Sequence, residues 1–224
     1  MVHFFIDRIR RSIIASVGLL IFAVGIYFQL KADIGVAPWN AFSQGLSIKF
    51  NTTYGTASII VSLIVICVDL LMKERLGIGT FLDAFLVGIG TDICQAIDFL
   101  PELTNLMTRI IILVIGIAIG CFGQGVYMQA ALSCGPRDAM LVGVGKRFPN
   151  VAIGHVNMVI LACVLICCIP LGSTIGIGTV ICVFGTGMIM EIIFKIMRFE
   201  PRNVVHEGLI ETAAAFAEAA KGRK

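Results

Sequence analysis

The feature that most constrains this chain is a series of long runs that are apolar on every side. Read with a window of about 19 residues, they fall at Ser12–Leu30, Gly55–Met72, Thr80–Ile97, Thr108–Gln129, Ile153–Ile169 and Thr179–Met197. Each is about long enough to cross a bilayer core of roughly 30 Å as a helix. A helix lying on a soluble core would keep a polar face toward water, and these runs have none. Hydrocarbon offers no partner for backbone N–H and C=O groups, so a spanning segment must satisfy them internally, as a helix does. The expected fold is an all-α, polytopic transmembrane helical bundle. Composition agrees: 58% of the 224 residues are hydrophobic and only 14% are charged, against about 25% charged in soluble domains.

The formal charge of +3 is small, and the lysines and arginines fall in short connections and at the two ends instead of forming one basic surface. Nucleic acid is therefore not an expected partner. The eight cysteines (Cys67, Cys94, Cys121, Cys134, Cys163, Cys167, Cys168, Cys182) lie almost all in apolar runs without C-x-x-C spacing. They read as reduced, buried small hydrophobes, and neither a metal nor a cofactor is expected. The opening segment MVHFFIDRIRRS carries Arg8, Arg10 and Arg11, but the run after it has full span length and no A-x-A-like site. It is expected to remain as a first helix and not to be cleaved as a signal peptide.

Two further segments, Pro38–Phe50 and Pro136–Phe148, are moderately apolar but too short to span, which suits re-entrant or broken helices. They also expose an internal repeat. Ala32–Phe50 (ADIGVAPWNAFSQGLSIKF) aligns without gaps on Ala130–Phe148 (AALSCGPRDAMLVGVGKRF), setting Pro38 on Pro136, Gly45 on Gly143 and Lys49 on Arg147. After a one-residue adjustment Gly55 meets Gly154, Leu76-Gly-Ile-Gly-Thr80 meets Ile175-Gly-Ile-Gly-Thr179, Gly88 meets Gly187 and Asp92 meets Glu191. Chance similarity between apolar runs would not keep proline, glycine, basic and acidic positions in one order.

An odd number of spans per repeat sends the second copy into the membrane from the opposite side, so inverted-topology repeats are expected. The bias of Lys and Arg then puts the N- and C-termini in the cytoplasm, although counting both short segments as spans gives eight helices and parallel repeats with a bias almost as good. The expected organisation is a cytoplasmic segment at 1–11, membrane repeats at 12–103 and 104–200, and a cytoplasmic tail helix at 201–224, which is rich in Ala and Glu.

The motifs G-V-A-P-W-N, Y-G-T-A-S and L-G-I-G-T in the first half, with C-G-P-R-D and I-G-I-G-T in the second, resemble those of the YczE/YyaS/YitT-like bacterial integral membrane proteins, most closely the YczE-like branch. The resemblance covers roughly residues 12 to 197. It implies a bacterial protein of this membrane fold located in the plasma membrane, and no particular substrate. The first half departs from the family's G-x-G-P-W-D pattern, with Ala37 before the proline and Asn40 in place of the acid.

Proline suits the first position of a helix, so Pro38 and Pro136 are expected to begin short helices. Trp39, Asn40, Arg137 and Asp138 then sit where unpaired N–H groups and the positive end of the dipole face outward. In transporters with broken helices such ends face the substrate. Gln44 on the first short helix, and Gln124 and Tyr127 near the end of the fourth span, are candidates to line a polar cavity. Ionisable groups inside spans are costly and point to function; Asp92 is the preferred coupling residue and Glu191 its counterpart, with Lys195 placed to pair with Glu191. Thr80 and Asp83 have the spacing of a capping box, which assigns Asp83 a structural role. No Walker A loop, G-x-S-x-G, H-E-x-x-H or carboxylate pair appears, so no catalytic residue and no enzyme is expected.

The leading expectation is a small secondary transporter or exporter of a small molecule or ion, working by alternating access. The alternative is a non-transporting scaffold or accessory protein that supports a partner enzyme. Expected partners are the lipid bilayer, a small-molecule or ion substrate, and a second copy of the chain.

Overall fold

The computed structural model describes residues 2–74, 76–132, 135–151 and 153–199. The expected tail helix at 201–224 and Cys134 lie outside the described residues. The helices are α1 (Val2–Ala32), α2 (Pro38–Phe50), α3 (Tyr54–Leu71), α4 (Ile78–Ile97), α5 (Leu106–Gln129), α6 (Pro136–Arg147), α7 (Ile153–Cys168) and α8 (Ile177–Ile196), with a 3-10 turn at Ile169–Leu171 after α7. Six are long and apolar enough to cross a membrane, at Ile6–Ala32, Tyr54–Leu71, Ile78–Ile97, Leu106–Gln129, Gly154–Leu171 and Ile177–Ile196. Among the described residues there is no strand. The chain is a multi-pass helical membrane protein.

The short helices α2 and α6 start at their prolines, whose missing N–H costs nothing at a first position. At 13 and 12 residues they reach about 20 Å at 1.5 Å per residue, short of the bilayer core. The expected starts of α1, α4 and α8 move. The stretch holding Arg8, Arg10 and Arg11 belongs to α1, where Arg11 pairs with Asp7 one turn earlier at 2.8 Å. Helices α4 and α8 begin two residues before their threonines, so Thr80 and Thr179 sit inside the first turn and accept from the Gly77 and Gly176 N–H groups at 3.3 and 3.4 Å. Thr80 therefore caps from within the turn, and Asp83 is not its capping partner. The cysteines also divide: Cys121, Cys168 and Cys182 are buried, whereas Cys67, Cys163 and Cys167 are exposed on the outer faces of α3 and α7.

The centre of the bundle is the crossing of α1 and α5. In a membrane two helices gain nothing from excluding lipid, so close packing carries the association, and small residues permit it. A Cβ on Gly18 would lie 2.8 Å from the Gly123 carbonyl oxygen, and one on Gly25 would lie 2.6 Å from that of Gly116. Because the higher-numbered residue of α1 meets the lower-numbered residue of α5, the two helices run antiparallel.

Around this crossing the contacts pair off. Helix α4 packs on α1 and α8 on α5; α2 lies against α3 and α7, and α6 against α7 and α3. The start of α8 is tied to the linker before α2 by Gly178 N–H to the Ile34 carbonyl at 2.7 Å, and the start of α4 to the linker before α6 by Gly79 N–H to the Leu132 carbonyl at 3.3 Å. Gly35 makes the first crossing possible, with a φ of +109° and room for no more than hydrogen next to Thr179. One pair breaks the pattern: α3 packs closely on α4, while α7 and α8 barely touch among the described residues.

Candidate functional site

The packing leaves a cavity of about 100 Å³ enclosed by α1, α3, α4, α5 and the start of α6. Its apolar wall is Leu19, Phe22 and Val87; its polar wall is Ser58, Ser62, Asp83, Gln124, Tyr127, Arg137 and Asp138. Ser58 and Ser62 lie one turn apart on the buried face of α3. Arg137 reaches out of α6 to the start of the other short helix, where its Nη1 donates to Asn40 Oδ1 at 3.2 Å and its guanidinium lies over the Trp39 ring, 5.6 Å from the centroid. Asn40 is buried. The same side chain thus lines the cavity and joins the two short helices at their first turns. Asp138 is exposed at the rim, in the first turn of α6, where the helix dipole favours a carboxylate.

Asp83 enters this cavity instead of capping α4. Its carboxylate is turned to Gly135, so closely that a Cβ there would meet Oδ2 at 2.8 Å. It shares an electrostatic environment with Arg137 and Asp138, yet no hydrogen bond or ion pair holds Asp83 among the described residues.

A second and larger hollow, of about 570 Å³, opens at the end of the bundle where α1 finishes. It is lined by Leu30, Gln44, Ser47, Ile48, Thr52, Thr53, Tyr54, Asp92, Gln95 and Ala96. Tyr54 lines the larger hollow, lies one turn before Ser58 of the smaller cavity, and interacts electrostatically with both Arg137 and Asp92. The side chain is 4% exposed, and its hydroxyl, turned toward Ser58, makes no hydrogen bond of good geometry among the described residues.

The expected site residues therefore separate into groups. Gln124, Tyr127, Arg137 and Asp138 line the smaller cavity, Trp39 and Asn40 adjoin it only through their contacts with Arg137, and Gln44 and Asp92 line the outer hollow. Asp92 Oδ1 accepts the Gly55 N–H at 2.6 Å, so it also caps the start of α3. Glu191 joins neither space; it is exposed on α8, and no ion pair links it to Lys195. Asp83, Ser58, Ser62 and Tyr54 were not among the candidates. The serines could have been found as polar positions one turn apart in an otherwise apolar span. Asp83 was obscured by the threonine three residues before it.

Polar ties close both ends. Where α1 finishes, Lys31 pairs with Asp98 at 2.8 Å and Glu102 at 3.2 Å, and the Tyr27 hydroxyl donates to Asp98 Oδ1 at 2.8 Å. The hydrogen bond from Lys31, with that from Tyr27, holds the Asp98 carboxyl below its ordinary range. At the opposite end Lys146 pairs with Glu74, and Arg147 donates to the Met72 carbonyl at 3.2 Å, fastening the end of α6 to the end of α3.

Residues 9–195 match a family of unknown function, DUF6198. Among curated proteins the chain is similar to the uncharacterised membrane protein YczE of Bacillus subtilis, 32% identical over 78% of this chain and 80% of the relative. It is also similar to an uncharacterised protein of Haemophilus influenzae, 30% identical over 81% and 84%, and to YyaS of Bacillus subtilis, 26% identical over 81% and 91%. The family expected from the proline and glycine motifs is the one found. No solved structure matches the chain.

Proposed function

The chain belongs to the DUF6198 family of membrane proteins, and from that premise we propose that it is a small secondary transporter that moves a small polar solute across the bacterial plasma membrane by alternating access. The observation that carries this reading is the enclosed charged cavity at the start of α6, joined through Arg137 to the start of α2. Charged groups are costly at membrane depth and are kept where they serve a pathway. Broken-helix starts beside a cavity are the recurring transporter solution.

Inverted repeats are part of the proposal. Carried back without gaps, the alignment of Ala32–Phe50 with Ala130–Phe148 sets Gly18 on Gly116 and Gly25 on Gly123. In the crossing Gly18 meets Gly123 and Gly25 meets Gly116, so each contact maps onto the other when the halves exchange. Gly45 against Leu171 and Ser173, and Gly143 against Met72 and Glu74, form a second reciprocal pair. Antiparallel α1 and α5 favour a two-fold axis lying in the membrane plane. The halves are unequal where α3 closes on α4 but α7 leaves α8, which is the kind of difference that an exchange of states would swap. The excess of Lys and Arg supports cytoplasmic termini, which would put the larger hollow on the outer side.

The test is solute counterflow in proteoliposomes, with small amino acids, amines and carboxylic acids each offered to wild type and Arg137→Ala. Flux of at least one solute, lost in the variant, is the expected outcome. A wild type that is folded, by its melting transition, and moves none of them would overturn the reading.

A further inference from the structure

Two unlike charges share the smaller cavity without touching. Arg137 has one side-chain hydrogen bond among the described residues, to Asn40, and one stacking partner, Trp39. Its other N–H groups are unclaimed. Asp83 has no hydrogen bond and no ion pair among the described residues, although it interacts electrostatically with Arg137. Opposite charges in a low-dielectric pocket attract strongly, and a charge left unpaired there is costly. Each side chain has its own neighbours: Arg137 is drawn toward Asn40 and Trp39, and Asp83, on α4, is set against Gly135 at the cap of α6. Asp138 is a third charge, interacting with both Asp83 and Arg137, but it sits exposed at the rim in the first turn of α6, where the helix dipole favours a carboxylate.

We propose that the cavity is a slot for a small zwitterion, an amino acid of glycine size, with its carboxylate on Arg137 and the first N–H groups of α6 and its ammonium on Asp83. This specifies the substrate class of the transporter reading and rests on it for its physiological meaning. The size agrees. A cavity of about 150 Å³ holds a six-atom ring, so the 100 Å³ here is on the scale of about four heavy atoms, close to glycine with its five. The chemistry agrees too. Guanidinium matches a carboxylate in plane with two donors, and Ser58, Ser62 and Gln124 supply polar partners around it, while Leu19, Phe22 and Val87 leave little room for a long side chain. An ion of a single sign would satisfy one pole and leave the other bare.

The test measures binding to the purified full chain in detergent, by ligand-induced shifts of its melting transition. Glycine, acetate and methylammonium are the probes at matched concentrations. Glycine is expected to stabilise the protein with at least about tenfold higher affinity than either singly charged probe. Asp83→Asn is expected to lose glycine and retain acetate, and Arg137→Gln to lose glycine and retain methylammonium, a crossing of preference that a merely structural role would not produce. Acetate or methylammonium binding the wild type as tightly as glycine would overturn the proposal, as would failure of all three to bind. The wild-type comparison decides the matter even if a variant does not fold. Glycine binding without flux in liposomes would defeat the transporter reading and keep the slot, whereas flux of a singly charged solute with no glycine binding would do the reverse.

Discussion

Gly55 and Asp92 are locked together across the α3–α4 interface: the Gly55 N–H donates to Asp92 Oδ1 at 2.6 Å, and a Cβ on Gly55 would collide with the Gly88 carbonyl oxygen and the Asp92 carboxylate. An acid that the sequence alone recommends for ion coupling therefore has a structural job, satisfying a first-turn N–H of α3. Because an amide oxygen can accept the same bond, Asp92→Asn should melt close to wild type, while Asp92→Ala should lose about 0.5–2 kcal/mol, as other helix caps do. Thermal melts of both variants check this. A normally stable Asp92→Asn that abolished flux would return the coupling role to Asp92.

The α1–α5 crossing has no room for larger side chains. Gly25→Val and Gly123→Val should each destabilise by about 1–3 kcal/mol, the range for overpacked cores, since the atoms nearest a Cβ on Gly25 are backbone atoms of Gly116 and Gly120, and those nearest one on Gly123 are backbone atoms of Gly18, Ile21 and Phe22, which cannot turn aside. Gly187→Val is the matched control, because a Cβ there meets nothing within 4 Å. Equal melting of all three variants would mean that this crossing does not hold the bundle.

Tyr54 lines the outer hollow and interacts electrostatically with Arg137 of the charged cavity. In a cysteine-free background carrying Ser58→Cys, Tyr54→Ala should speed modification by a membrane-impermeant thiol reagent by about tenfold or more, consistent with loss of a closed gate. An unchanged rate would show that the two spaces communicate by another route.

The tie at Asp98 should depend on pH in a definite direction. Its folded pKa lies below the ordinary carboxylate value because Lys31 and Tyr27 hydrogen-bond the charged form. A depressed folded pKa contributes stability above the unfolded value, about 3.9, and loses it as pH falls through the folded value. Wild type should therefore melt above Asp98→Asn near neutral pH, and the two should converge in strong acid. A gap that persisted below about pH 3 would assign the effect to packing and not to charge.

The membrane fold was legible because lipid imposes it: a run that is apolar on all sides and long enough to span has no alternative to a helix. The starts of α2 and α6 were legible for an equally local reason, since proline fixes its own φ and lacks an N–H. Glycine spacing could have disclosed the α1–α5 crossing, as Gly116 and Gly120 stand in a G-x-x-x-G pattern, but nothing local says which helix fills the groove. The sequence by itself determined the elements, the family and the presence of Arg137 and Asp138 at a helix start. Tertiary structure alone decided which charges do what: it turned Asp92 to the Gly55 N–H, left Glu191 outside, and brought Asp83 of α4 into one small cavity with Arg137 of α6. The physical reason is that a charge's role depends on its neighbours, and these neighbours come from parts of the chain that only the crossing of the two halves brings together.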